Sequence, residues 1–141
     1  NLLLIYTGLR RNAHDISGNY INKLRFEKKE YIKSISYQTL EAEKLLEKGD
    51  IEKLGYLLKE GWMLKKKIDK SISNKKIDEI IYHGLNKGAL GAKLLGAGGG
   101  GFCLFYVPAK LQKKFLKEFK NLINIPFLFS NKGSQIILNS K

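Results

Sequence analysis

The sequence predicts an α+β fold in which helices cover a small, mostly antiparallel sheet of four strands. Three observations lead to this prediction. An apolar run of strand length opens the chain, long amphipathic segments fill its middle, and short apolar runs return in its last third. The nearest common architecture is ferredoxin-like, with a helical insertion after the first strand. A chain of 141 residues fits one such domain.

The first third of the chain is predicted to form one strand and two helices. Residues 2–6 are a continuous apolar run, which is typical of a buried strand. Asp15 can cap a first helix over 15–26. Over 28–48, apolar residues recur at spacings of three and four, which predicts a second helix with one apolar stripe. Gly49 then ends that helix.

Two more helices follow, and each begins at a capping residue. Asp50 can cap the third helix, and Ser73 or Asn74 the fourth. Gly61 lies within the third helix, which indicates close contact with a neighbouring helix. The residues expected on the inward faces are Leu54, Leu57, Leu58, Leu64 and Ile68 in the third helix and Ile77, Ile80, Ile81 and Leu85 in the fourth.

The composition changes at residues 88–101, which hold seven of the 14 glycines. A strand over 102–107 follows and ends at Pro108. The remaining pattern predicts a helix, a strand, a turn and a last strand, over 109–123, 126–129, 131–133 and 135–138 respectively.

Composition excludes several classes of protein. With Cys103 as the single cysteine, no internal disulfide can form, and no apolar run reaches the roughly 20 residues that span a bilayer. The net charge of +13 could attract nucleic acid, but only three of the 26 basic residues are arginine and the lysines are spread along the chain. We expect a cytoplasmic protein that binds neither nucleic acid nor membranes. Because the chain starts with Asn1 inside an apolar run, we expect it to be part of a longer protein.

The most informative segment is Gly96-Ala97-Gly98-Gly99-Gly100-Gly101, which carries a single β-carbon. Such backbone can enter left-handed conformations, and successive N–H groups in that geometry form a concavity for anions. The segment is not a Walker loop, which requires Gly-Lys-Ser/Thr before a helix. It is not a dinucleotide fingerprint either, because here a helix is expected before the loop and a strand after it. Since no helix dipole can assist, the main phosphate loop is expected elsewhere.

Residues 91–102, Gly-Ala-Lys-Leu-Leu-Gly-Ala-Gly-Gly-Gly-Gly-Phe, resemble the third, C-terminal motif of the GHMP kinases. Within that family the resemblance is strongest to the D-glycero-D-manno-heptose 7-phosphate kinases. Residues 2–13 resemble the strand-to-helix entry of that subgroup, and 61–66 its Trp-x-x-Lys helix. Arg10 and Ala92 depart from the subgroup, at positions where a small polar residue and a glycine are expected.

The resemblance implies that residues 1–141 are the C-terminal domain of a two-domain kinase. The absent N-terminal domain of such kinases carries the main phosphate loop, the magnesium ligands and the acid or base. No catalytic residue and no metal ligand is therefore expected in this chain. The implied reaction moves the γ-phosphoryl of ATP, with Mg²⁺, to the anomeric hydroxyl of a heptose 7-phosphate for surface polysaccharide synthesis, and the fragment alone is expected to be inactive. The implied partners are ATP, the sugar phosphate and the chain's own N-terminal domain.

The candidate binding residues are few. The loop residues Gly96, Ala97, Gly98, Gly99, Gly100 and Gly101 are expected to support the transferred phosphoryl group. Arg11 and Lys93 are candidates for phosphate contacts, and Thr7 and Asn12 for hydroxyl contacts, although turn and cap roles suit the last two as well.

Other chemistry-bearing side chains have simpler interpretations. Trp62 is expected in the core, and Lys65 and Lys66 either face solvent or meet the sugar phosphate. His14 and His83 lack partners at metal-ligand spacing.

Two alternatives stay open at this point. Another GHMP substrate, a hexose or a mevalonate-type alcohol, would fit the same motif. A non-catalytic ferredoxin-like module for nucleic-acid binding or oligomerisation would fit the fold and the charge.

Overall fold

The computed structural model describes residues 1–10, 28–130, 132–133 and 135–136. The predicted helix over 15–26 lies outside the described residues. A short 3₁₀ turn, Lys70–Ile72, lies between the second and third of the described helices. In chain order the elements are β1 (Leu2–Tyr6), α1 (Lys29–Glu47), α2 (Ile51–Lys66), α3 (Lys75–Asn86), β2 (Gly91–Leu94), β3 (Phe102–Tyr106), α4 (Ala109–Glu118) and β4 (Asn124–Ile125).

The four strands form one antiparallel sheet in the order β2-β3-β1-β4. In the register, Leu3 pairs with Phe105, Ile5 with Cys103, and Leu94 also with Cys103. This strand order, with helices after β1 and after β3, is the ferredoxin-like arrangement. The predicted fold class is therefore confirmed, and α1, α2 and α3 form the helical insertion between β1 and β2.

Alternate residues of the central strands point into the core. Ile5, Cys103 and Phe105 are all fully buried, as are their neighbours Ala92 and Leu94 on β2. Helices α3 and α4 cover this face, and the rings of Phe105, Phe115 and Phe119 lie 4.8–5.5 Å apart. The helical stripe of α3 that the sequence predicted is confirmed, with Ile77, Ile80 and Ile81 buried and Leu85 packed against them.

The caps that the sequence predicted are also present. Gly49 has φ +70° at the end of α1. The side chain of Asp50 accepts a hydrogen bond from the Lys53 N–H at the start of α2, and that of Asn74 accepts one from the Ile77 N–H at the start of α3. Trp62 is 2% exposed and belongs to the core, as expected.

Two predictions about the sheet were wrong. The glycine-rich segment does not run directly from a helix, because residues 91–94 form the edge strand β2 and the loop closes a β-hairpin. The last two strands were predicted over 126–129 and 135–138, whereas the fourth strand of the sheet is Asn124–Ile125. Pro126 has no N–H to donate to a sheet, which explains why pairing stops before it. Gln135 and Ile136 are not in a strand, and the rest of the predicted strand lies outside the described residues.

The single cysteine gives a direct test of this packing. Cys103 is fully buried, and burial raises the pKa of its thiol to about 12. Because the thiolate is the reactive form, we expect no measurable reaction with Ellman's reagent at pH 8 while the chain is folded. Full reaction is expected in guanidinium chloride, and rapid labelling of the folded chain would show that β3 is not covered by α3 and α4.

Candidate phosphate-binding site

The loop between β2 and β3 has a backbone that favours glycine at most of its positions. Gly96, Gly98, Gly99 and Gly101 have φ values of +77°, +125°, +73° and +98°. A residue with a β-carbon rarely adopts these conformations. The run of glycines that the sequence singled out is therefore required by the path of the chain.

Two of the glycines also allow other backbone segments to approach closely. A β-carbon on Gly98 would lie 2.7 Å from the Cα of Ile72 in the 3₁₀ turn, and one on Gly100 would lie 2.8 Å from the carbonyl oxygen of Leu9. The loop is thus held between the 3₁₀ turn on one side and the segment that leaves β1 on the other.

Hydrogen bonds hold the loop in this position. The Gly99 N–H donates to the Ile72 carbonyl and the Gly101 N–H to the Leu9 carbonyl, both at 2.9 Å. Asn74 accepts the Ile77 N–H with its amide oxygen and donates its Nδ2 to the Gly99 carbonyl at 3.1 Å. One side chain therefore caps α3 and holds the loop.

Four N–H groups of the loop are without an acceptor in the part of the chain that the structure describes. Within residues 1–10 and 28–130, no hydrogen-bond acceptor lies at the N–H of Gly96, Ala97, Gly98 or Gly100. Successive N–H groups in a loop with positive φ values form a concavity for an anion. The geometry supports the anion-binding role that the sequence predicted for this segment.

Positive charge lies at the Gly96 end of the loop. Lys65, on α2, donates from Nζ to the Gly96 carbonyl. Lys65 and Lys93, the second of which lies on β2, both line a cleft of about 190 Å³ between α1 and α2. Burial lowers the pKa of Lys65, and the charge of Lys93 lowers it further. No carboxylate of the described residues forms an ion pair with either lysine.

The opposite end of the loop borders a second groove. This groove of about 590 Å³ runs beside Gly100 and Gly101 and is lined by Arg10 and by the rings of Tyr6 and Phe102. The two ring centroids lie 5.2 Å apart. The sequence analysis named Arg11, and not Arg10, as a candidate for a phosphate contact. Among the described residues, however, Arg10 is the arginine that lies beside the loop.

The remaining candidate residues differ in where they lie. Thr7 is fully buried, its hydroxyl donates to the Gly101 carbonyl at 2.8 Å, and it accepts the Leu9 N–H at 3.2 Å. The expected contact between Thr7 and a substrate hydroxyl finds no support, because this hydroxyl already holds the turn and the loop. Arg11 and Asn12 lie outside the described residues.

For two side chains that hold the loop, the sequence did not decide the role. Lys65 was given a solvent-facing interpretation as readily as a functional one, and Asn74 was noted only as a helix cap. The sequence holds no signal that either residue reaches a loop more than 20 positions away.

Among the described residues, no cluster of three or more His, Cys, Asp or Glu side chains could hold a metal ion. None of the described helices has the length and apolar character needed to cross a membrane.

The fold and the loop together define an α+β domain with a backbone site suited to a phosphate group. A family model described as the C-terminal part of GHMP kinases matches residues 42–124. The chain is 29% identical over 119 residues to the D-glycero-alpha-D-manno-heptose 7-phosphate kinase of Campylobacter jejuni, a match that covers 84% of this chain and 35% of that protein.

Solved structures show the same relationship. The mevalonate kinase of Methanococcus jannaschii matches with 33% identity and a TM-score of 0.71, over 87% of this chain and 38% of that one. The L. major mevalonate kinase in complex with R-mevalonate matches with a TM-score of 0.78 at 22% identity, over 87% of this chain and 40% of that one. The chain belongs to the GHMP kinase family and spans well under half the length of these relatives.

Proposed function

We propose that this chain is the C-terminal domain of an ATP-dependent kinase for a phosphorylated sugar. The observation that carries the proposal is the set of N–H groups in the glycine loop that have no acceptor among the described residues, with two lysines at one end of the loop. A phosphoryl group in transfer spreads negative charge over its outer oxygens, and fixed N–H donors stabilise that charge. The relative from Campylobacter jejuni supports D-glycero-D-manno-heptose 7-phosphate as the acceptor.

In this proposal the described residues bind and orient, and they do not carry out the proton transfer. The loop from Gly96 to Gly101 forms one wall of the site for the γ-phosphoryl group of ATP, and Lys93 and Arg11 contribute positive charge. Asn12 contacts a sugar hydroxyl. An N-terminal domain supplies the main phosphate loop, the Mg²⁺ ligands and the group that accepts the proton of the attacking anomeric hydroxyl. In this proposal the reaction takes place in the cytoplasm, where ATP and phosphorylated sugars are available, and belongs to the synthesis of nucleotide-activated heptose for surface polysaccharide.

The test is a kinase assay on a protein that contains this chain after its N-terminal domain. We expect ATP-dependent phosphorylation of D-glycero-D-manno-heptose 7-phosphate, with kcat/KM at least about a hundredfold above that for unphosphorylated hexoses. The product is identified by mass and by the ³¹P resonance of an anomeric phosphate. Absence of turnover on every sugar phosphate would contradict the proposal.

A second substrate class has its own support. The identity of 33% to the Methanococcus jannaschii mevalonate kinase favours a mevalonate-type alcohol. The same assay with mevalonate separates the two, because a site built for a sugar phosphate would discriminate strongly against an acceptor without a phosphate.

The chain by itself is expected to bind ATP weakly. Because the resemblance assigns the main phosphate loop and the Mg²⁺ ligands to an N-terminal domain, most of the free energy of ATP binding should come from that domain. Isothermal calorimetry on the chain alone should give a Kd well above about 1 µM. A sub-micromolar Kd would mean that the loop is itself the main phosphate site.

A further inference from the structure

Besides the Gly101 carbonyl, which Thr7 holds, side chains hold two more carbonyl groups of the loop and thereby fix the direction of two N–H groups. Lys65 holds the Gly96 carbonyl, and Asn74 holds the Gly99 carbonyl. The peptide bonds are trans, so the N–H of each following residue points away from its carbonyl. The N–H groups of Ala97 and Gly100 therefore point away from the side chains that hold the loop, and both are without an acceptor among the described residues.

The donor at the Gly96 carbonyl is charged, and this strengthens the effect. A hydrogen bond from an ammonium group to a carbonyl polarises the peptide unit, so that the N–H on its other side becomes a better donor. Lys65 therefore has two effects on Ala97: it sets the direction of the N–H and raises its capacity to bind an anion.

The surroundings of Lys65 indicate that the charge serves a ligand. The side chain is partly buried, and Lys93 lines the same cleft, so that each positive charge disfavours the other. Lys66, one position along, instead forms an ion pair with Asp78 at 2.9 Å. Lys65 and Lys93, which have no carboxylate partner among the described residues, together make the potential at the Gly96 end of the loop positive, and this favours an anion bound there.

We propose that Lys65 is a positioning residue for the phosphate group, which orients the Ala97 N–H and, with Lys93, supplies positive charge at the Gly96 end of the loop. The ligand class is a phosphate dianion, either the transferred phosphoryl group or the phosphate of the acceptor. This inference rests on the proposed function, because it assigns the loop to a phosphate.

The experiment follows the amide resonances of the ¹⁵N-labelled 141-residue chain during titration with inorganic phosphate at constant ionic strength. Saturable shifts of the Ala97 and Gly100 amides are expected in the wild type. Lys65→Met should raise the Kd for phosphate roughly tenfold, since it removes a charge-assisted contact. Lys65→Arg should restore it to within about threefold of the wild type, because a guanidinium can donate to the same carbonyl.

The matched control is Lys59→Met, which removes one positive charge from an exposed position on the same helix. It should leave the Kd for phosphate within about twofold of the wild type. The spectrum of each variant reports whether it is folded. If Lys65→Met does not fold, Lys65→Gln takes its place, because it keeps a donor for the Gly96 carbonyl and removes only the charge, and it should raise the Kd about threefold or more.

The outcomes separate this inference from the proposed function. Saturable shifts in the wild type with equal Kd values for Lys65→Met and Lys59→Met would overturn the role of Lys65 and leave the loop as a phosphate site. No saturable shift of the Ala97 and Gly100 amides in the wild type would overturn this inference, whereas the proposed kinase activity is decided separately by the assay with the N-terminal domain present. To distinguish the transferred phosphoryl group from the phosphate of the acceptor, the titration is repeated with ATP and with a sugar phosphate. The compound whose Kd rises in Lys65→Met is the ligand of the Gly96 end of the loop.

Discussion

Gly91→Ala is expected to destabilise the folded chain by at least about 3 kcal/mol. A β-carbon at this position would lie 1.6 Å from the carbonyl oxygen of Gly55, within the backbone of α2. Helix α2 would have to move off β2, which also removes its contact with Tyr106 beside Gly55. Thermal unfolding followed by circular dichroism should show a Tm lower by on the order of 10 °C.

Gly61→Ala is the matched control, because it adds the same methyl group to α2. A β-carbon there meets only the Oε1 atom of Gln38, at 3.0 Å, which is the end of a flexible side chain. Since alanine favours a helix over glycine, the free energy of unfolding should stay the same or rise by up to about 1 kcal/mol. Equal Tm values for the two variants would show that α2 does not pass this close to β2.

Gly98→Ala is expected to abolish most of the phosphoryl transfer by a kinase that contains this chain. The new β-carbon would lie 2.7 Å from the Cα of Ile72, and the residue has φ +125°. The loop would have to move away from the 3₁₀ turn, which breaks the hydrogen bond from the Gly99 N–H to Ile72 and displaces the free N–H groups. By comparison with the loss of one preorganised donor, kcat should fall about 10²–10³-fold.

The control for this variant is Gly49→Ala, which carries the same kind of backbone strain far from the loop. Gly49 has φ +70° at the end of α1, and no atom lies within 4 Å of a β-carbon there. It should cost about 1 kcal/mol of stability and leave kcat unchanged. A Gly98→Ala enzyme with kcat close to that of the wild type would contradict the placement of the loop at the reacting phosphoryl group.

Much of the fold could be predicted because its signals are local. Asp50 and Asn74 cap helices through contacts that span three residues, and the apolar stripe of α3 repeats with the period of one helix. The strand Phe102–Tyr106 was found because a short apolar run ends at Pro108. Each of these features depends on residues close together in the chain, so the sequence pattern was sufficient.

The strand β2 could not be predicted, because its reason lies elsewhere in the molecule. Gly91 has a low intrinsic preference for a strand. In the fold, however, a residue without a side chain is needed there, since α2 crosses at Gly55. Packing against a helix more than 30 positions away therefore decided the conformation of a segment whose composition indicated a loop.

The candidate site likewise has some features that the sequence predicts and others that only the folded chain brings together. From its glycines alone, the sequence predicted that the loop over 96–101 takes left-handed backbone conformations, and Gly96, Gly98, Gly99 and Gly101 adopt them. It did not show that Lys65 and Asn74 hold two of the loop's carbonyls, or that Thr7 is buried behind the loop.

By itself the amino-acid sequence determined the described helices, the two central strands and the presence of a glycine loop with left-handed backbone. The tertiary structure alone decided which N–H groups of that loop have an acceptor among the described residues and which charges lie beside them. The physical reason is range. Conformational preferences and apolar periodicity act over a few residues, whereas the side chains that hold the loop's carbonyl groups, those of Lys65, Asn74 and Thr7, lie 25 to 94 positions away from them in the chain and reach the loop only when the chain has folded.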